Sequence, residues 1–471
     1  MKFEKQVSLK WAIALVLIAC LVSSSIVYYV FAVSPSSAFT ISSGVYPGAP
    51  CYTVWREGDY YFAKDANGEI DYSGTDASQI IQSALDHGKS VFVKKGLYII
   101  TASLQLNTLN YLFGEGWDTE FRKGANIDVI TLKSSAVYNV HLENFYINGY
   151  CEWKDFPLIT LGNYTGSGIV LNNTGFPDEP PWTPYSGADT AHRISNVIIR
   201  YCKSYGVRLL GNQREILATS VRTLDNGDIG FSIEGGGDGK YVSCISGSNG
   251  NQGFLINGST NQFINCKAFG NGQNNVTGKA DGFSIGRWNN QFINCYSQGN
   301  GRDGFLIWQS LAYNNLIEGA IIDSNNVLND VNGAGVCIDH AHDNIVVGCQ
   351  FVDSQSPKLM RGMNLFASDN NTVSFNNFRM VKTPVFSFDT SHDKITQNVG
   401  FVTENSGTAN IITTSTVTFD HGLAGTPTHV ECGFKTIGYG TWKWSATSTQ
   451  ITITVENSGT YTFSWYAEYK P

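Results

Sequence analysis

Charge is what this sequence lacks most. Of its 471 residues only 15% are Asp, Glu, Lys or Arg, while 42% are apolar and 49 are glycine. Disordered chains show the opposite balance, so the composition excludes disorder. The formal net charge of −8 lacks the basic footprint of a nucleic-acid partner. Helical periodicity is nearly missing, with room for a single clear amphipathic helix. No Gly-rich phosphate loop, nucleophile elbow or zinc-binding cysteine pattern occurs. Residues 11–33 carry no charge at all over 23 positions, and the next charge is Arg56. A run of that length can span a bilayer. Lys2, Lys5 and Lys10 precede it and none follows closely, which predicts a signal-anchor over 1–33 with the rest outside the cytoplasm. A cleaved signal peptide and a lipoprotein-type box at Leu17-Ile18-Ala19-Cys20 are rival readings, and both also export the chain. Residues 34–50, rich in Ser, Pro and Gly, read as a tether.

What is present is repetition. Gly230-Phe231-Ser232-Ile233 returns as Gly253-Phe254-Leu255-Ile256, Gly282-Phe283-Ser284-Ile285 and Gly304-Phe305-Leu306-Ile307, after 23, 29 and 22 residues. Weaker copies begin at Gly335 and Gly362. A second phrase ends in cysteine at Cys244, Cys266 and Cys295. A fixed period in this range marks a solenoid. The phrases are short, β-branched or aromatic, and alternate apolar with polar; Asn, Gly, Ser and Asp between them favour turns. Stacked short strands of this kind form a parallel β-helix, with Phe, Ile and Cys in ladders inside it. Equivalent cysteines point the same way, so these three read as buried thiols rather than disulfides.

The helix follows Asp76-Ala77-Ser78-Gln79, which has the form of a capping box; Ile80, Ile81, Ala84 and Leu85 share one face and Gly88 ends it. Next come Ser90-Val91-Phe92-Val93, Gly96-Leu97-Tyr98-Ile99 and Leu112…Gly114…Gly116. This order resembles the entry to the pectin-lyase-like right-handed β-helix proteins: polygalacturonases, rhamnogalacturonan-degrading enzymes, pectate lyases and phage tailspikes. Lys95 stands where that family usually has proline. The polygalacturonase signatures Asn-Thr-Asp, Asp-Asp, Gly-His-Gly and Arg-Ile-Lys are absent. The resemblance implies an all-β fold: a right-handed parallel β-helix over 51–405 with an N-terminal capping helix. A long loop over 151–191 breaks the period. Over 406–471 Thr-rich alternating runs predict an antiparallel β-sandwich, similar to small C-terminal domains of phage tail and surface proteins.

Enzymes of the resembled family work in a groove outside one sheet. Outward residues after each Gly-Phe strand would be Glu234, Asn257, Gly286, Trp308 and Asp339, followed one step on by Arg287 and His340. Asp339, His340, Glu234 and Arg287 are therefore the catalytic candidates; Trp308, Asp303, Asp281 and Trp182 are the substrate-binding ones. A carboxylate pair suits glycoside hydrolysis. An arginine base with Ca²⁺ held by carboxylates suits a lyase. No metal-ligand set is assigned. Two functions stay open: a surface protein that binds and depolymerises polysaccharide, or a non-catalytic fibre or adhesin, homotrimeric in the manner of tailspikes.

Overall fold

The computed structural model describes residues 51–151, 164–174, 190–274, 280–354, 361–388, 392–435 and 441–470, all within one compact unit. The expected anchor and tether, and Trp182, lie outside the described residues.

The repeat phrases stack on their own copies. Phe231–Glu234, Phe254–Ile256, Phe283–Ile285 and Phe305–Trp308 pair in parallel, with Phe231, Phe254, Phe283 and Phe305 in one register row. They belong to an eleven-stranded parallel sheet, here the second sheet, running from Leu104–Leu106 to Thr383–Phe388. The first sheet has 23 strands and forms the other two walls of a right-handed solenoid of about 10 turns. Its two walls meet at a bend, as between Lys240–Val242 and Ile245–Gly247. Ser243, Asn265 and Asn294 occupy that bend with φ of 53°, 53° and 51°. Small polar residues tolerate this left-handed backbone, which explains the Asn and Ser before each rung cysteine.

Inside, ring sits on ring. Centroids of Phe231, Phe254, Phe283 and Phe305 are 5.0, 4.8 and 4.6 Å apart, with planes within 10°. Tyr241, Phe263 and Phe292 make a second ladder, meeting the first edge to face. Each aromatic contact adds about 0.5–1.5 kcal/mol beyond simple burial. The cysteine row is buried, and no disulfide joins any of the nine described cysteines. Its thiols donate to carbonyls one rung back, Cys266 to Tyr241 at 3.1 Å and Cys295 to Phe263 at 3.4 Å.

Asparagine builds a further ladder that the sequence reading assigned only to turns. Asn226, Asn249, Asn271, Asn300 and Asn325 are buried, and each of the first four donates its amide to the carbonyl oxygen of the next. Asn261, Asn290, Asn315, Asn344 and Asn371 do the same at another corner. A buried amide needs partners. On successive rungs it finds them in its copy on the next coil and in a backbone carbonyl of the coil before, as Asn271 does in Asn300 and Ser246.

Helix α1, Ala77–His87, closes the first end. Asp76 accepts from the amides of Ser78 and Gln79, and Gly88 donates to Ala84. Any Cβ at Gly88 would lie 2.6 Å from the Tyr52 ring, so glycine is required by crowding. Gln82 donates to Gln105 O at 3.0 Å and accepts from Gln105 N at 2.7 Å, which satisfies part of the open edge of Leu104–Leu106. Three strands precede the helix, Tyr52–Glu57, Tyr60–Asp65 and Ile70–Gly74, paired antiparallel. Their turn signals were not read from the sequence.

The C-terminal region is one hydrogen-bonded antiparallel sheet folded into two layers. Glu404–Asp420 and Gln450–Glu468 pair along their lengths, with register shifts at Ile411/Thr414 and Thr414/Thr416. The fold at that point brings Phe419 to 5.0 Å from Trp465 across the layers. Tyr469 N donates to Thr403 O, and Ala424 N to Val402 O, docking the sheet on the last coil.

Truncating one ladder ring tests the stacking directly. Phe283→Ala removes a fully buried ring between two others and should cost about 3–5 kcal/mol. A clear drop in the urea midpoint is expected; a shift under about 1 kcal/mol would show that the rungs do not lean on one another.

Candidate functional site

The row proposed from sequence exists. Leu210 pairs with Glu234; from there the register runs through Asn257 and Gly286 to Trp308, which pairs with Asp339, then Phe366 and Phe388. These residues lie where second-sheet strands enter their turn, one per coil.

Trp308 is the centre of the exposed part. It is half-buried, and its indole Nε1 is shielded without an acceptor among the described residues. Gly286 makes room beside it. A Cβ there would lie 2.4 Å from Asn257 Oδ1 and 3.3 Å from Trp308 Cζ2. Gln309 adjoins it and donates to Gly286 O at 2.8 Å. One rung on, Asp339 Oδ1 is 2.6 Å from His340 Nδ1, with side chains 43% and 66% exposed. Beside this row stands a ring stack the sequence reading missed: Trp288, Tyr313 and His342, at 5.8 and 5.3 Å with planes within 12°. His342 also meets Asp343 at 2.7 Å and Ser310 O at 3.1 Å. Hydrogen bonds from His342 and Asn370 hold the Asp343 carboxyl below its ordinary value. Arg287 lies 5.9 Å from the Trp288 ring centroid. Aromatic residues one period apart were the available signal for this stack.

The catalytic candidates are not gathered together. Glu234 is four rungs from Asp339 along the register, about 19 Å at the usual strand spacing. Paired glycosidase carboxylates lie within about 10 Å, so these two do not form such a pair. Glu234 is instead engaged by Arg208 at 2.8 and 3.1 Å and by Ser232 at 2.7 Å. Burial pushes its carboxyl up, but Arg208 and Ser232 outweigh that and hold it below its ordinary value. It is an ionised member of an ion pair, unsuited to donate a proton.

Asp281 and Asp303 face no solvent, so neither offers surface to a sugar. They sit at the other end of the second-sheet strands and share Arg302, whose Nε is 3.2 Å from Asp281 and 2.8 Å from Asp303. Asp303 also accepts from Ala334 N at 2.7 Å, and Asp281 from Asp303 N at 3.2 Å. Burial is the main force raising both carboxyls, and one guanidinium can balance only one of them. Among the described residues no three His, Cys, Asp or Glu side chains converge to hold a metal ion.

No family model and no curated protein matches the sequence. Solved structures do match. Tailspike protein 2 from bacteriophage CBA120, in its enzymatically active domain, superposes with a TM-score of 0.54 at 16% identity over 72% of this chain and 53% of that one. The likeness agrees with the β-solenoid described above, a parallel β-helix of the pectin-lyase-like kind. The full-length tailspike protein 2 gives 0.55 at 15% identity, over 77% of this chain and 54% of that one. The A-module of mannuronan C-5 epimerase AlgE6 from Azotobacter vinelandii gives 0.51 at 15% identity, over 69% and 95%. The β-helix chain thus spans about half the length of the two tailspike structures.

The Asp281–Arg302–Asp303 cluster of this β-helix makes a pH prediction. The fold retains a proton that the unfolded chain releases near pH 4. The cluster's contribution to stability should be greatest below that pH and fall as pH rises through the raised values. Asp281→Asn removes the excess carboxylate while keeping an acceptor at Oδ1. Its unfolding temperature should change less between pH 5 and pH 8 than that of the parent; parallel profiles would show that the pair carries no extra proton.

Proposed function

We propose that this β-helix binds a polysaccharide along the outer row of its second sheet, centred on Trp308, and does so without cleaving it. The observation that carries this is Trp308 itself: a half-buried indole beside Gly286, with Nε1 lacking an acceptor and Asp339 on the next rung. An indole offers a flat apolar face to a sugar ring. A linear polymer lying along the solenoid axis meets one residue of the row per coil. The fold supports the reading, since the matching structures are named as tailspikes and a mannuronan epimerase. Binding without cleavage is favoured because Glu234 and Asp339 are too far apart and Glu234 is held in an ion pair.

The chain would act outside the cytoplasm, held at a membrane through the uncharged run at 11–33. No helix among the described residues is long and apolar enough to cross a membrane, and that run lies outside them. Tailspike-like trimers would repeat the row on each copy.

Immobilised uronate and neutral polysaccharides, tested with and without Ca²⁺, provide the experiment. Binding is expected without new reducing ends or unsaturated products. Trp308→Ala should weaken it at least about tenfold, the loss of roughly 1.4 kcal/mol of contact. Asp339→Ala should weaken it less. Unchanged binding in Trp308→Ala would overturn the row as the site, and product release abolished in Asp339→Ala would make the protein an enzyme.

A further inference from the structure

A second site lies at the other end of the molecule, on the outer face of the first sheet. Strand Tyr52–Glu57 runs between Tyr60–Asp65 and Ser90–Val93. Alternation turns Val54 into the core and Trp55 outward. Trp55 stacks on Phe62, its cross-strand partner, at 5.4 Å and 21°. Phe92 and Phe113, outward on the next two coils, lie 5.2 Å apart. Trp55 and Phe92 floor a cavity of about 400 Å³, with Phe62 and Phe113 stacked beside them.

The rim is cationic. Lys64 and Lys94 each bring an ammonium group to 5.9 Å from the Trp55 ring centroid. Arg56 and Lys95 line the same cavity. Among the described residues, Lys64, Lys94 and Lys95 have no carboxylate within ion-pair distance; Arg56 has only a loose contact with Asp59, at 3.7 Å. Two acids also line it, and both have structural work. Glu57 accepts from Trp55 Nε1 at 2.8 Å and so fixes the indole; Glu115 accepts from the Lys95 backbone amide at 2.9 Å. Three cations and two carboxylates line the cavity, and Lys64 adds a further ammonium beside the Trp55 ring. Asp59 is only loosely held by Arg56, so there is a local positive excess in a chain whose formal charge is −8. Ammonium groups left without counter-ions around an aromatic floor select a ligand that has an apolar face and carries negative charge.

We propose that this cavity binds a carboxylate-bearing sugar unit of the uronic-acid class. The pyranose ring would pack on the aromatic floor, with its carboxylate drawn to Lys94 and Lys95. Neither feature would suffice alone: a bare carboxylate would find three mobile lysines in water, and a neutral sugar would leave those charges unused. The site shares no residue with the Trp308 row and stands whether or not that row binds glycan.

The test titrates the full chain with trimers of galacturonate, mannuronate and glucuronate, with a neutral hexose trimer, and with acetate, by calorimetry. At least one uronate trimer should bind at least about tenfold more tightly than the neutral trimer, the worth of one charge-assisted contact. In a Trp308→Ala background, which silences the outer row, adding Lys94→Ala/Lys95→Ala should lose at least about tenfold in that affinity. Both lysines are exposed, so the variant should keep the parent unfolding temperature. Raising sodium chloride should weaken uronate binding, and equimolar acetate should not displace it. Equal affinity for the neutral trimer, no loss on adding the lysine changes, or no binding by any uronate would overturn the assignment. Loss in Trp308→Ala with no further loss from the lysine changes would move uronate binding to the other row.

Discussion

Everything in this structure depends on each coil lying on a near copy of itself at about 4.8 Å. Backbone hydrogen bonds between parallel strands set that distance, and side chains must then fill it. A ring fills it well when a ring lies above and below, hence Phe231, Phe254, Phe283 and Phe305. A buried amide is satisfied when an amide follows, hence the asparagine rows. A thiol can donate to the carbonyl of the rung before. Apolar and polar ladders alike obey the same spacing, and no single coil could satisfy either kind alone.

The same constraint decided what could be read in advance. The inner phenylalanines and the outer row from Glu234 to Asp339 were legible because a repeat fixes register, and register fixes facing. The asparagine ladders repeat just as regularly, yet Asn271 and Asn300 looked like turn residues. Turn preference and ladder formation call for the same residue type, and only burial separates them. Asp281 and Asp303 failed for a related reason. Asp before Gly reads as an exposed turn, while their burial depends on Arg302 and on Ala334, which follows an irregular stretch in the next coil. The ring stack of Trp288, Tyr313 and His342 was missed because the intervening turns differ in length. The C-terminal alternation announced two layers but could not announce that one bent sheet supplies both.

Electrostatics follow a similar division between inside and outside. Buried carboxylates here are tied to a guanidinium and to backbone amides, as at Arg302. Exposed ones pair with histidine at a neighbouring position, as in Asp339 with His340 and Asp343 with His342. Asp339 and His340 face outward as a local pair, whereas His342 and Asp343 also reach neighbouring coils through Ser310 and Asn370. The cations around Trp55 are different again, since the acids beside them bind an indole and a backbone amide rather than the ammonium groups.

A wall built this way separates stability from recognition. Inner positions are fixed by the copy on either side, so a change at Phe283 is felt by Phe254 and Phe305. Outer positions have no such obligation: Asn257, Gly286, Trp308 and Asp339 succeed one another in one row without resembling each other. The solenoid can therefore carry unlike side chains at a regular pitch on a rigid support. That is the geometry a repeating polymer needs, and it holds at both ends of the tube, where aromatic rings reach the surface beside charged groups.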